Sequence, residues 1–328
     1  MSSARSRAAE LALALKDGFG VQYWGAGYDA ESLASQPHGL LILEATKVAA
    51  PYSDTGHEIL FTPDEMALIE QNGLRPALGY LNVSEIADYR DYWIDQMDGV
   101  DIGVPDSLPA WYGPRTAHGE HLSVYWTDAW RSVVLAQTDR LMQTGVKGLF
   151  LDDVLHYYSH AMDKTLQWPN GVSPVAPDGA PAMAIEMMEL VVLIAKRARQ
   201  WNCNAYIVVN NGVFIGRDAA AAPGVEGRVA FAAYLEAIDG IMVENLSAPS
   251  THPHTIEALQ EDFRRHGVAV LSLDVATNFT DQKPEDLSGS IARKAAELGY
   301  YPYVSADDVF NQLYPPIRMP SRSLAGLE

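Results

Sequence analysis

The chain alternates between short apolar runs and longer amphipathic stretches along almost its whole length. The apolar runs do not alternate with polar residues as a half-exposed strand would, so each predicts a strand that is buried on both faces. Eight strands are predicted, over residues 18 to 23, 39 to 43, 75 to 80, 147 to 151, 205 to 209, 239 to 243, 268 to 273 and 299 to 304. The amphipathic stretches predict helices over residues 63 to 72, 84 to 97, 128 to 144, 182 to 201, 253 to 266 and 284 to 297.

The predicted helices have recognisable start and stop signals. Thr62 is followed by Pro63 and two acids, which is the pattern of a capped helix start. Four glycines stand directly after a predicted helix and before a predicted strand, where a residue with a left-handed backbone commonly ends the helix. They are Gly73, Gly145, Gly267 and Gly299. Eight strands, with helices between most of them, predict a closed parallel barrel, the (β/α)8 or TIM-barrel fold.

One domain is predicted, spanning residues 1–328 with its barrel core at about 18–305. The main alternative is an open doubly wound sheet. The turn Gly25-Ala26-Gly27 after the first strand, however, lacks the third glycine of a phosphate-binding loop. Two stretches rich in proline and glycine interrupt the repeat, at residues 98 to 122 and 158 to 181. They follow strand ends and are predicted to be long loops on the rim of the barrel.

Polar side chains follow most of the predicted strands, at the point where each strand ends. Asp152 and Asp153 follow the fourth strand, and Glu244 follows the sixth. Further polar residues at or just beyond strand ends are Glu44, Glu85, Asn210 and Asp274. Because the carboxyl ends of the strands meet at one mouth of a barrel, these side chains are expected to surround a single pocket.

The composition narrows the possible partners. The chain has 23 basic and 42 acidic residues, a net charge of −19, and no local basic patch, which argues against a nucleic-acid partner. No run approaches the ~18 apolar residues of a membrane span, so no membrane partner is predicted. The single cysteine, Cys203, excludes an internal disulfide and is predicted to be a buried small residue. With no signal peptide recognised, a cytoplasmic protein or a mature secreted form is expected.

Clustered carboxylates either bind a hard cation or act as acid, base and nucleophile on a polar substrate. A calcium-binding loop with alternating acids is not found, and the histidines lie mostly in loops rather than at strand ends. We therefore predict no metal and no cofactor. Aromatic residues also stand at strand ends, notably Trp24 and Tyr80, and flat rings at a polar mouth stack on the apolar faces of pyranose sugars.

Three stretches together resemble the glycoside hydrolases of family 114, the endo-α-1,4-polygalactosaminidases. They are residues 77 to 93 (ALGYLNVSEIADYRDYW), residues 124 to 130 (VYWTDAW) leading by one helix to 148 to 153 (GLFLDD), and residues 239 to 244 (DGIMVE). Their order and spacing match over roughly residues 18 to 305. Three features depart from the family: Ser84 replaces a usual glycine, Leu155 replaces a frequent second aspartate, and the loop at 158 to 181 is long.

The resemblance implies a retaining hydrolysis in which Asp152 is the nucleophile and Glu244 is the general acid and base. Such a pair needs its carboxyl groups ~5 Å apart. The implied substrate is an α-linked galactosamine polymer, whose free amines would make it a cationic polysaccharide suited to an acidic mouth. The residues expected to bind it are Trp24, Glu44, Tyr80, Glu85, Asp153, Asn210 and Asp274.

Two other functions stay open on the sequence. A non-catalytic sugar-binding barrel would bind oligosaccharides without cutting them. A metal-assisted hydrolase would use Asp152, Asp153 and Asp274, and a chelator would inhibit it. The exact sugar, the choice between endo and exo cleavage and the oligomeric state do not follow from the residues.

Overall fold

The computed structural model describes residues 4–97, 100, 107–172, 174–248, 251–279 and 284–319. Eight parallel strands form one sheet in chain order: β1 (Phe19–Gln22), β2 (Leu40–Leu43), β3 (Ala77–Asn82), β4 (Gly148–Asp152), β5 (Tyr206–Asn210), β6 (Gly240–Glu244), β7 (Ala269–Val275) and β8 (Tyr301–Ser305). The rings of Phe19 on β1 and Tyr303 on β8 are 5.4 Å apart, so the two edges of the sheet meet. The predicted (β/α)8 barrel is confirmed.

The apolar strands lack alternation because both of their faces are buried. Side chains such as Val21, Leu78, Phe150 and Met242 pack against one another inside the barrel. The residues between them along each strand pack outward against the helices. Each strand thus lies within two residues of its predicted position. Because successive residues of a strand face inward and outward in turn, their position along the strand also decides which strand-end side chains point into the mouth.

Eleven helices lie among the described residues: α1 (Ala4–Leu15), α2 (Ala30–Ala34), α3 (Pro63–Ile69), α4 (Asp91–Met97), α5 (Asp128–Gln143), α6 (His156–Met162), α7 (Gly179–Trp201), α8 (Ile215–Ala220), α9 (Glu226–Ala237), α10 (Pro253–Ala258) and α11 (Pro284–Leu298). Thr62 caps α3 with the reciprocal hydrogen bonds of a capping box. The four predicted closing glycines have φ between +71° and +96°. Across these residues no helix has the length and apolar character that crossing a bilayer requires.

Some predicted elements differ from the structure. The helix predicted over 84 to 97 begins only at Asp91, because the Asn82 side chain accepts hydrogen bonds from the backbone N–H groups of Ser84 and Glu85 and turns the chain. After α3 and α10 the predicted helices continue only as short turns, Gln71–Gly73, Leu259–Phe263 and Arg264–His266.

The two predicted rim loops contain regular structure. Within 98 to 122, of which 98–99 and 101–106 lie outside the described residues, strands Tyr112–Arg115 and His121–Ser123 form a hairpin. The stretch at 158 to 181, apart from residue 173, includes the end of α6 and the start of α7. A further hairpin, Thr46–Val48 with Ile59–Leu60, follows β2.

The prediction for Cys203 is wrong. Its side chain is exposed, because the residue lies in the surface turn between α7 and β5. Burial begins two residues later, at Ala205, where the chain enters the sheet.

The base of the barrel is held by a buried carboxylate. Asp239 is fully buried before β6 and accepts hydrogen bonds from Arg7 of α1, Arg199 of α7 and the backbone N–H of Ile207, at 3.1, 3.1 and 2.9 Å. One side chain thereby connects two helices and two strands.

Asp239→Ala is expected to lower the free energy of unfolding by about 3–5 kcal/mol, because the buried guanidinium group of Arg7 and the partly buried one of Arg199 would lose the carboxylate that balances them. Asp139→Ala is the matched control, since its ion pair with Arg197 at 2.5 Å is partly exposed and is expected to contribute less than about 1 kcal/mol. Urea denaturation of both variants measures the difference. Equal losses would contradict the assignment of Asp239 as a structural anchor.

Candidate active site

The carboxyl ends of β4, β5 and β6 bring three predicted site residues into direct contact. The buried Asn210 side chain donates from Nδ2 to Asp152 Oδ1 at 2.8 Å and to Glu244 Oε1 at 2.7 Å. Because both carboxylate oxygens bond to one nitrogen, they lie no farther apart than the two bond lengths together, 5.5 Å. The sheet register puts Asn210 opposite Met242, so Glu244 stands two residues higher and is exposed at the mouth.

Asp152 is surrounded by donors that favour its ionised form. Besides Asn210, the hydroxyl of Tyr80 donates to Oδ2 at 2.9 Å and the backbone N–H of Asp153 donates to Oδ1 at 2.8 Å. Burial, and next the charge of Asp153, outweigh these donors and raise the pKa of Asp152 to about 6. The Asp152 carboxyl group is therefore ionised at neutral pH and becomes protonated as the pH falls below about 6.

The pKa of Glu244 is raised as well. Removal of water from around its carboxyl group by the walls of the mouth raises its pKa, even though the side chain as a whole is exposed. The hydrogen bond from Asn210 opposes this change, and the charge of Asp152 adds to it. An ionised Asp152 thus favours a proton on Glu244, and the two groups can present a carboxylate beside a carboxylic acid.

The residue after each of these strand ends has a left-handed backbone. The φ angle is +61° at Asp153, +58° at Asn211 and +53° at Asn245. Asp and Asn adopt this conformation more readily than other non-glycine residues. The turn directs the N–H of Asp153 to Asp152 Oδ1, while Asn211 and Asn245 donate to the next strand at 2.8 and 2.7 Å. An Asp or Asn directly after a functional strand end is the sequence signal for this turn.

Asp153 belongs to a second polar cluster beside Asp152, together with Glu85 and His156. One potential ligand atom from each of the three lies within 4.8 Å of the other two. Asn82, which pairs with Asp152 in the sheet, donates its amide to the Asp153 carboxylate. Burial, and next the charge of Asp153, raise the pKa of Glu85 to about 9, so this cluster holds a proton at neutral pH. Asn82 and His156 were not among the predicted site residues.

A cavity of about 510 Å³ is lined by Tyr80, which connects it to Asp152. Tyr80, whose hydroxyl bonds to Asp152, forms one wall with Tyr23, and the two ring centroids are 4.8 Å apart. Trp24 and Tyr52 stand at the opening, 56% and 84% exposed. Aromatic walls and a volume within the range of small-ligand sites suit a sugar ring. The predicted residues Trp24 and Tyr80 both line this cavity.

Glu44 borders the same cavity, but its carboxylate is already paired with another side chain of the protein. It forms an ion pair with Arg90, and both side chains are buried. Arg90 also pairs with Glu58 at 2.9 Å. Glu44 therefore holds the hairpin after β2 in place, and the structure does not bring its carboxylate into contact with Asp152 or Glu244.

Asp274 lies apart from the other predicted site residues. Leu271 and Leu273 of β7 point into the barrel, so Asp274 points outward to the helix layer. There it is fully buried and accepts hydrogen bonds from Ser247 N and Ser272 Oγ, at 2.8 and 2.6 Å. Because neighbouring residues of a strand face opposite sides, the side chain of Asp274 does not reach the mouth of the barrel.

No protein-family model matches the chain. The chain is 25% identical over 269 residues to an uncharacterized protein of Thermotoga maritima, covering 79% of this chain and 73% of that protein. It is also 25% identical over 295 residues to an uncharacterized protein of Deinococcus radiodurans, covering 87% and 80%.

Solved structures resemble the barrel over most of its length. The glycoside hydrolase domain of PelA from Pseudomonas aeruginosa has a TM-score of 0.55 and 15% identity, covering 92% of this chain and 98% of that domain. Ega3 of Aspergillus fumigatus, in a complex with galactosamine, has a TM-score of 0.56 and 11% identity, covering 92% and 95%. An α-amylase of Geobacillus thermoleovorans has a TM-score of 0.52 and 9% identity, covering 93% and 74%. These similarities show the fold of this chain.

Proposed function

We propose that this protein is a retaining glycoside hydrolase that cleaves an α-linked galactosamine polysaccharide. Asp152 acts as the nucleophile that attacks the anomeric carbon. Glu244 first protonates the leaving oxygen and then, as a base, activates the water that releases the sugar from Asp152. Asn210 lies between them and orients both carboxyl groups.

The contact of one amide with both carboxylates is the observation that carries the proposal. Retaining glycosidases have carboxyl groups about 5–5.5 Å apart, whereas inverting ones leave about 6.5–9.5 Å for a water molecule. Asp152 Oδ1 and Glu244 Oε1 lie at most 5.5 Å apart, closer than the separation in inverting enzymes and compatible with retention. The pKa values of both carboxyl groups are raised, and the charge of an ionised Asp152 contributes to the rise at Glu244, which suits a nucleophile beside an acid.

The choice of an amino-sugar polymer has three supports. Two proteins with the same barrel are described as a glycoside hydrolase domain and as a complex with galactosamine. The net charge of −19 attracts a cationic chain. The aromatic cavity that Tyr80 connects to Asp152 has a volume that suits a sugar ring.

Incubation of the protein with de-N-acetylated and N-acetylated α-1,4-galactosamine polymers tests the function. We expect new reducing ends from the de-N-acetylated polymer, at a rate that EDTA does not change, and the α anomer as the first product seen by NMR. Binding of the polymer without new reducing ends would indicate a sugar-binding barrel. Loss of activity with EDTA would indicate a metal-assisted hydrolase. Either result would overturn the proposal.

A further inference from the structure

Tyr23, the first residue after β1, has a hydroxyl group that the fold does not use. Phe19 and Val21 of β1 point into the barrel, so Tyr23, two residues beyond Val21, points into the mouth and packs on the inner side chains. Its hydroxyl forms no hydrogen bond with any residue that the structure describes. The hydroxyl of the neighbouring Tyr80, in contrast, donates to Asp152 Oδ2 at 2.9 Å. Tyr23 therefore has a donor that is available to a ligand.

The Tyr23 hydroxyl is within electrostatic reach of both carboxyl groups of the proposed reaction. Burial, and next the charges of Asp152, Glu244 and Glu44, raise the pKa of Tyr23 well above its usual value. The phenol thus keeps its proton at neutral pH, where Asp152 is ionised. Ionised carboxylates only accept hydrogen bonds, whereas a phenol can also donate one. Tyr23 therefore adds a donor to a mouth that is rich in acceptors.

Packing holds the ring of Tyr23 on two sides. Its centroid is 4.8 Å from that of Tyr80 and 5.5 Å from that of Phe310, which follows β8. The backbone N–H of Tyr23 also donates to Phe310 O at 2.8 Å. Phe310 has a φ of +49°, a left-handed conformation that is unfavourable for a bulky residue and that the surrounding contacts must maintain. The position of the Tyr23 hydroxyl is therefore fixed by ring contacts and backbone, before any ligand binds.

Tyr23 also lines the aromatic cavity of about 510 Å³, together with Tyr80. It therefore stands where the cavity meets the carboxyl groups at the strand ends. A sugar ring that reaches Asp152 from this cavity presents hydroxyl oxygens, which accept hydrogen bonds from a donor of this kind. We propose that the Tyr23 hydroxyl donates a hydrogen bond to a hydroxyl oxygen of the sugar that reacts with Asp152. This inference rests on the proposed function and adds a residue that contacts the substrate.

Tyr23→Phe is expected to lower kcat/KM on 4-nitrophenyl α-galactosaminide by about 10-fold. Phenylalanine keeps the ring contacts with Tyr80 and Phe310, so the variant removes the hydroxyl alone. The melting temperature is not expected to fall, because this hydroxyl has no hydrogen bond in the described part of the fold. The acidic limb of the pH profile is expected to stay in place, because Tyr23 does not donate to Asp152. A fall in melting temperature that parallels the loss of activity would indicate a structural role instead.

A control variant and a set of deoxy substrates test the contact itself. Tyr234→Phe also removes a buried hydroxyl without a hydrogen-bond partner, but in α9 of the helix layer, and is expected to leave kcat/KM unchanged. The substrates are 4-nitrophenyl α-galactosaminides that lack the hydroxyl at C3, C4 or C6. Loss of the hydroxyl that Tyr23 contacts is expected to slow the wild type and to cause little further loss in Tyr23→Phe. Fully additive losses with all three substrates would overturn the inference.

Binding measurements separate this inference from the proposed function. Calorimetry with a galactosamine oligosaccharide compares Glu244→Gln with the double variant that also has Tyr23→Phe, and the second change is expected to weaken binding by about 5–10-fold. That result would support the role of Tyr23 even if the wild type released no reducing ends. Hydrolysis by the wild type together with unchanged kcat/KM in Tyr23→Phe would overturn the role of Tyr23 and leave the glycosidase standing. Absence of hydrolysis and of binding would overturn both.

Discussion

Asp152→Asn and Glu244→Gln are each expected to lower kcat on a galactosamine polymer by a factor of ~10³ or more. Asparagine keeps the shape of Asp152 and still accepts from Asn210, but it cannot attack the anomeric carbon. Glutamine keeps the contact of Glu244 with Asn210, yet it has no proton to give to the leaving oxygen. Release of reducing ends, measured at saturating polymer, gives both values.

The two roles can be told apart with azide and a substrate that has a good leaving group, such as 4-nitrophenyl α-galactosaminide. In Asp152→Ala, azide occupies the space of the missing carboxylate and attacks directly, so the expected product is the β-glycosyl azide. In Glu244→Ala, Asp152 still forms the covalent intermediate, and azide opens it from the other face to give the α-glycosyl azide. Exchanged products would contradict the assignment of the roles.

Asp308→Asn is the control for these changes. Asp308 is exposed and is one of the charges that raise the pKa of Glu244, so the variant removes a negative charge near the mouth without removing either acting group. Its activity is expected to stay within about 3-fold of the wild type. Near-complete loss in this variant would mean that overall charge, rather than the Asp152 and Glu244 pair, governs the rate.

The barrel could be predicted because its physical causes are local in the sequence. A strand covered by side chains inside and helices outside is apolar at every position, as in Leu149–Leu151 of β4. Helix closure by a left-handed glycine is equally local, as at Gly145. The start of α4 does not follow from the hydrophobic pattern, because the Asn82 side chain accepts hydrogen bonds from the backbone of Ser84 and Glu85 and prevents a helix there.

The site could be predicted only in part, for two reasons. Strand β7 is buried at every position, so its sequence does not show which residues face inward; the structure has Leu271 and Leu273 inside the barrel, which assigns Asp274 to the outer face. The ion pair between Glu44 and Arg90 could not be predicted from the sequence, because the two residues are 46 positions apart along the chain and meet only in the fold. Contacts of that kind depend on loop paths that no local pattern determines.

Asn210→Ala is expected to lower kcat/KM by about 10²-fold or more and to move the acidic limb of its pH profile upward. Asn210 holds the Asp152 and Glu244 oxygens within 5.5 Å of each other, and its loss leaves both carboxyl groups without their common donor. The hydrogen bond from Asn210 lowers the pKa of Asp152, so its removal raises that pKa above the present value of about 6. Activity needs the ionised form of Asp152 and is therefore lost at a higher pH as the solution is acidified.

Tyr80→Phe is the matched variant, because Tyr80 donates to Asp152 and not to Glu244. This hydrogen bond also lowers the pKa of Asp152, so the acidic limb is again expected to move upward while the basic limb, set by Glu244, stays in place. Asn210 lowers the pKa of both groups, so both limbs are expected to move upward in Asn210→Ala. Profiles of kcat/KM from pH 4 to 9 separate the two patterns, since they report the groups of the free enzyme. An acidic limb that stays unchanged in both variants would show that a group other than Asp152 must be ionised for the reaction.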